Sequence, residues 1–305
     1  MNSHSQLQLD HDDEIAALLV SQPRRASGMT RCILLALVAT ADAVGLHAAW
    51  GRANGVLHHA FHPPSVLRTS LEDLTNTKIP GSGGHEILAY TARPTNAPAG
   101  PLPVLVLLHE FFGLTEAITG KAAALADELG CVVVAPDTFR GETARLPNIP
   151  KAIWLALSTP TERVNADLDD VLRFFNARDD ADASKVAVMG FCYGGGKALR
   201  YTTQARADAA TVVFYGNPVS DTTELGRLRA PLLGVFGAND PQIPAPVVDK
   251  FREALASAGV EHDVVQYEGV GHAFWSDMGQ IEREESPQID AYRRATAFLR
   301  EYFAR

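Results

Sequence analysis

From about residue 74 onward, short apolar runs alternate with longer segments in which apolar residues recur at i, i+3 and i+4. The runs at 104–108, 132–135, 186–189, 211–215, 232–236 and 264–267 are largely apolar rather than alternating, as expected of strands covered on both faces. The segments 115–129, 162–177, 193–204, 246–258 and 289–303 place Asp, Glu, Lys and Arg between their apolar positions, the pattern of helices with one face on a core. Strand and helix in alternation predict a mostly parallel sheet with helices on both faces, a doubly wound α/β architecture. No internal repeat and no long linker follow residue 100, so residues 66–305 are expected to form one domain.

The first 65 residues differ in character. An acidic start (Asp10, Asp12, Asp13, Glu14) leads to Arg24-Arg25 and then to an apolar run from Cys32 to Ala41. Two readings are open for this extension. A basic stretch ending in Arg31, about ten apolar residues and Ala41-Asp42-Ala43 resemble an export signal, which would place the protein in the periplasm. The long acidic leader favours a docking helix on a cytoplasmic protein instead. The run is too short to span a bilayer. His58, His59 and His62 stand close together, but no acidic or thiol partner lies at ligand spacing, and a surface segment before Pro63-Pro64 is the simpler reading.

Composition narrows the function class. A chain of 305 residues, 46% hydrophobic, is long enough for a large core. Its net charge of −9 leaves no basic surface for nucleic acid or anionic lipid, so a small-molecule substrate is expected, acted on by a monomer or weak homo-oligomer. Cys32, Cys131 and Cys192 cannot all pair and show no metal-ligand spacing, so neither a disulfide scaffold nor a zinc site is expected.

One cysteine has a special context. Val186-Ala187-Val188-Met189-Gly190-Phe191-Cys192-Tyr193-Gly194-Gly195-Gly196 runs from a predicted buried strand straight into a helix, where a G-x-nucleophile-x-G elbow belongs. At the start of a helix the free N–H groups and the positive dipole end favour a thiolate. The plainer reading is a small buried residue in a glycine-rich turn; a phosphate loop lacks its Lys-Ser/Thr ending. Downstream, strand 232–236 leads into Asn239-Asp240-Pro241 and strand 264–267 into Gly271-His272-Ala273, the order nucleophile, acid, base that α/β-hydrolases use. Taken singly, Asp240-Pro241 reads as a turn and His272 as a loop residue. Oxyanion donors are expected in the backbone N–H groups of Tyr193 and of Phe111, in the loop after strand 104–108. Glu110, at the same mouth, reads as a substrate contact, a partner of the Cys192 thiol, or an ordinary buried carboxylate.

The chain over roughly 70–303 resembles the dienelactone hydrolase (carboxymethylenebutenolidase) family. The matching motifs are His109-Glu110-Phe111-Phe112-Gly113, Ala135-Pro136-Asp137-Thr138-Phe139-Arg140-Gly141, the Cys192 elbow, Asn239-Asp240 with Ile243-Pro244, and Gly271-His272-Ala273-Phe274. The resemblance implies an α/β-hydrolase fold and the opening of a cyclic enol-lactone to a keto acid through an acyl-thioester, without a metal or organic cofactor. It also implies that Glu110 engages the resting thiol, and that two arginines hold the substrate carboxylate. Arg140 stands near one of those places, and Trp275-Ser276 occupies the other, so Arg140 and Trp275 are the expected substrate contacts. Without a second arginine, a broader carboxylesterase or thioesterase is the competing enzymatic reading. A catalytically silent binding scaffold is the third, against which every catalytic position holds a competent residue type.

Overall fold

In a computed structural model of the chain, residues 70–305 are described, apart from 143 and 145–147. The extension, its 31–43 segment and the histidines at 58, 59 and 62 lie outside the described residues.

Eight strands form one sheet: β1 (Thr77–Pro80), β2 (Glu86–Ala92), β3 (Leu102–Leu108), β4 (Val132–Pro136), β5 (Ala181–Phe191), β6 (Ala210–Phe214), β7 (Leu232–Gly237) and β8 (His262–Tyr267). Their order is β1-β2-β4-β3-β5-β6-β7-β8. β1 and β2 are antiparallel, and β3 to β8 pair in parallel. The predicted doubly wound α/β architecture is the one observed, with the β1–β2 hairpin added at one edge. Six helices of ten or more residues accompany the sheet among the described residues: α1 (Glu116–Leu129), α2 (Ile149–Ser158), α3 (Thr161–Asn176), α4 (Tyr193–Gln204), α5 (Ala245–Ser257) and α6 (Gln288–Ala304).

Two cores follow from the period-two alternation of strand side chains. Leu105, Leu107, Ala187, Met189 and Val212 face one side and pack with Ile118 and Leu125 of α1 and Leu299 of α6. Val104, Val106, Val186 and Val188 face the other and pack with Leu168 and Val171 of α3 and Ala198 of α4. Both faces being covered explains why the strands read as unbroken apolar runs. Truncating such a side chain, for example Leu107→Ala, costs about 2–5 kcal/mol.

The register collects the candidate residues at one edge. Leu108 pairs with Gly190, Phe191 with Phe214 and Gly237 with Tyr267, so the loops after β3, β5, β6, β7 and β8 all leave the sheet on its C-terminal side. β3 is followed by β4 on one side while β5 lies on its other, the reversal of strand order at which open α/β sheets form their crevice.

Candidate active site

β5 ends at Phe191, and α4 begins one residue beyond Cys192. That single-residue turn forces Cys192 to φ +52°, ψ −114°, backbone a non-glycine residue adopts only under strain. Glycine is required on either side for space. A Cβ on Gly190 would stand 2.1 Å from the Gly194 carbonyl oxygen, and one on Gly194 would stand 2.4 Å from that of Leu108. The turn thus lifts the Cys192 side chain out of the sheet, half-buried, at the positive end of α4.

Two further strand ends supply its partners. His272 Nε2 lies 3.0 Å from Cys192 Sγ, and His272 Nδ1 lies 2.7 Å from Asp240 Oδ2. Asp240 is 2% exposed, and its other oxygen accepts from the backbone N–H groups of Gln242 and Ile243. An anion so held points at the imidazole and fixes its Nδ1–H tautomer. Burial alone would lower the pKa of His272, but its hydrogen bonds to Asp240 and Cys192 and their charges push it up to about 10. A thiol beside such an imidazole has an acceptor for its proton.

The loop after β3 is bolted down by His109. This ring is fully buried; Nδ1 lies 2.7 Å from the Glu110 carbonyl, and Nε2 accepts from the Thr138 N–H at 3.1 Å, with Thr138 Oγ1 at 2.9 Å. Among the described residues, neither the Phe111 nor the Tyr193 N–H donates to a protein acceptor. The expected oxyanion donors are therefore available at the two loops flanking Cys192.

Glu110 departs from the expectation drawn from the resemblance. Its Oε1 lies 3.4 Å from the Tyr215 hydroxyl, while the thiol pairs with His272. Burial raises the Glu110 pKa, and the charges of Lys121 and His272 pull it back down. In this arrangement the carboxylate faces the imidazole side of the site.

The two expected substrate contacts, Trp275 and Arg140, are both engaged within the protein. Trp275 is 0% exposed: its indole packs edge-on against Phe191, Phe214 and Tyr292, and its Nε1–H donates to the Asp277 carbonyl. It belongs to the core beneath the site, because the backbone turns inward after His272. Arg140, at φ +54°, donates through Nε and Nη2 to both oxygens of Asp167 on α3. Asp167 also meets His85 Nε2 at 2.9 Å. The guanidinium fork is thus already occupied by a nearly buried carboxylate, which removes the reason to expect a substrate anion there.

Three residues not singled out from the sequence join the site: His109, Tyr215 and Lys121. Lys121 had a signal, since it sits at i+3 from Ile118 and i−4 from Leu125 on the buried stripe of α1, where an exposed lysine does not belong. Among the described residues, no group of three or more His, Cys, Asp or Glu side chains is arranged to hold a metal ion, and no helix is long and apolar enough to cross a membrane.

Comparison with known proteins bears on the whole of this region. The model of the "Dienelactone hydrolase family" matches residues 87–303. A protein of Methylorubrum extorquens named "Putative carboxymethylenebutenolidase" is 34% identical over 237 residues, covering 74% of this chain and 80% of its own. A protein of the same name from Escherichia coli K12 is 32% identical, covering 74% and 86%. The crystal structure titled "Putative Dienelactone Hydrolase" from Klebsiella pneumoniae superposes with a TM-score of 0.64 at 32% identity, covering 73% of this chain and 96% of that one.

Proposed function

Because this chain belongs to the dienelactone hydrolase family and is a carboxylic-ester hydrolase, we propose that it works through Cys192 as nucleophile, His272 as base and Asp240 as the acid that orients the base. The observation that carries this reading is the unbroken chain of contacts, 3.0 Å from Cys192 Sγ to His272 Nε2 and 2.7 Å from His272 Nδ1 to Asp240 Oδ2.

His272 takes the thiol proton, and the thiolate attacks the ester or lactone carbonyl, forming the S–C bond. The carbonyl oxygen becomes an oxyanion, received by the N–H groups of Phe111 and Tyr193. Collapse breaks the C–O bond, and the departing oxygen takes the proton from His272 Nε2, leaving an acyl-thioester on Cys192. Water then gives its proton to His272 and attacks the thioester, releasing the acid and restoring the thiol. Asp240 stays ionised and stabilises the imidazolium in both halves.

The pairing of Arg140 with Asp167 favours a neutral ester or lactone over an anionic dienelactone as the substrate. A substrate carboxylate would also meet Glu110, and a free charge-assisted contact of about 1.5–3 kcal/mol is missing to offset that repulsion. The test is mass spectrometry of the protein quenched during turnover of a neutral aryl ester, with an anionic dienelactone in parallel. The expected result is an acyl adduct on Cys192, absent in Cys192→Ala, and faster turnover of the neutral ester. Hydrolysis that persists at the wild-type rate in Cys192→Ala would refute the nucleophile assignment, and preference for the anionic lactone would refute the substrate assignment.

A further inference from the structure

We propose that Lys121 is the positioning residue for the His272 side of the site: its ammonium pins the backbone at Trp275 and Ser276 and is the buried cation that faces the Glu110 carboxylate. The inference rests on the hydrolase reading above and deepens it.

Two segments of the site meet at this one side chain. Lys121 Nζ donates to the Trp275 carbonyl at 2.9 Å and to the Ser276 carbonyl at 3.0 Å, three and four residues beyond His272. It also stands 4.4 Å from the centroid of the Phe191 ring, the residue before Cys192, and 5.1 Å from that of Trp275. The Trp275 carbonyl lies within reach of a second donor, the Tyr215 hydroxyl at 3.1 Å, which is also 3.4 Å from Glu110 Oε1. Tyr215 reaches this place from a backbone at φ +38°, and its ring lies edge-on to His272 at 5.4 Å. The Trp275 carbonyl thus joins Lys121 to Tyr215, whose ring runs alongside the imidazole, while Glu110 lies beyond at the edge of hydrogen-bond reach.

Stability does not explain the choice of lysine. Lys121 is fully buried, and among the described residues its ammonium donates to backbone carbonyls and to no carboxylate. A methionine or leucine would pack between Phe191 and Trp275 without the desolvation penalty of a charge. Glu110 and Asp277 are the acidic groups that face it; burial lowers its pKa to about 8 against their pull. Facing Glu110 in turn are Lys121, His272 and Tyr215. Removing the ammonium leaves a buried carboxylate with one cation fewer, so Glu110 becomes harder to ionise and the negative charge beside the His272 imidazolium is lost at a higher pH.

The experiment compares wild type with Lys121→Met, Lys121→Gln and Lys121→Arg. It measures kcat and KM for a neutral aryl ester, melting temperature, and the pH dependence of Cys192 alkylation by iodoacetamide. Expected are a fall in kcat of about tenfold or more for the Met and Gln variants with KM within about twofold. The acid limb of alkylation should move up by about one pH unit in both and stay in place for Arg. Wild-type kcat in Lys121→Met, or an acid limb that does not move, overturns the proposal while leaving the hydrolase reading intact. Should the Met and Gln variants fail to fold, Tyr215→Phe is read in their place: the same two changes support the proposal, and their absence overturns it. A wild-type protein that neither hydrolyses the ester nor alkylates at Cys192 overturns the hydrolase reading, and this inference with it.

Discussion

His272 and His109 both stand just beyond the C-terminal ends of strands, both are largely withdrawn from water, and their protons behave in opposite ways. His272 reaches about 10 and His109 is lowered below the ordinary histidine range. For both, burial is the largest influence and acts downward. The difference lies in what the ring nitrogens touch. His272 has a buried carboxylate oxygen at 2.7 Å and a thiol at 3.0 Å. His109 faces Asp137 only at 3.8 Å, and the Asp137 oxygens are engaged by the backbone N–H groups of Phe139 and Gly141. Its Nε2 receives an N–H from Thr138, so it acts as an acceptor and the ring stays neutral. One histidine is placed to carry a proton; the other is a fixed bolt for the loop after β3. Burial does not separate them, and the nearest anion does.

Exchanging the two residues for alanine should produce the widest contrast. For His272→Ala, kcat/KM with a neutral aryl ester should fall by about a thousandfold or more, measured at saturating and limiting substrate. His109→Ala should mainly lose stability. It opens a cavity and leaves the Glu110 carbonyl and the Thr138 N–H without their partner, so a loss of about 3 kcal/mol is expected in urea unfolding, with a smaller fall in activity. Activity in His109→Ala as low as in His272→Ala, in a protein of undiminished stability, would erase the distinction.

The same contrast explains what could be read in the sequence. Cys192, Asp240 and His272 stand out because each joins a chemically competent residue to the end of an apolar strand, in an order that the fold dictates. Gly190 and Gly194 were legible for the same reason: an elbow admits no Cβ there. His109 is also at a strand end, yet its role depends on Thr138, 29 residues away, and nothing local marks that pairing. The ion pair of Arg140 was not legible because its partner, Asp167, comes from the middle of α3. Trp275 was misread because proximity to His272 in the chain says nothing of which way the backbone turns. Helix α2 escaped because Ile149-Pro150-Lys151-Ala152-Ile153-Trp154-Leu155-Ala156-Leu157 holds a single charged residue, so no polar face marks it as a surface helix. The β1–β2 hairpin escaped because β1 is four residues long and ends in proline.

A pH series should separate the histidines by sign. His272 has a folded-state value raised to about 10, above the unfolded 6.5, so its stabilisation is fully present below about 6.5 and is lost as pH rises through about 10. His109 has a lowered folded-state value, so its neutral ring favours the fold above about 6.5 and disfavours it as pH falls and the unfolded chain takes up a proton. Urea midpoints measured from pH 5 to pH 10 should therefore show a fall on the alkaline side, of about 2 kcal/mol, that Asp240→Asn reduces. The acid-side fall should shrink in His109→Gln. Alkaline loss unchanged in Asp240→Asn would mean that the carboxylate is not what raises His272.

The smallest expected effect is the sharpest test of the tautomer. Thr138→Val replaces the hydroxyl 2.9 Å from His109 Nε2 by a methyl of the same shape and leaves the Thr138 backbone N–H on that nitrogen at 3.1 Å. Because Nε2 keeps one donor, no buried acceptor is orphaned, and the loss should stay at about 0.5–1.5 kcal/mol. The hydroxyl is also 3.4 Å from the Tyr193 hydroxyl, a contact long enough to add little. If the His109 ring instead carried a proton on both nitrogens, Nε2 would confront the Thr138 N–H donor to donor, and the threonine hydroxyl would be its sole acceptor there. Removing it would then strand a buried charge, and the loss would exceed about 3 kcal/mol. Nitrogen NMR of the His109 imidazole, with the proton on Nδ1 and a hydrogen-bonded, unprotonated Nε2, should agree with the smaller figure.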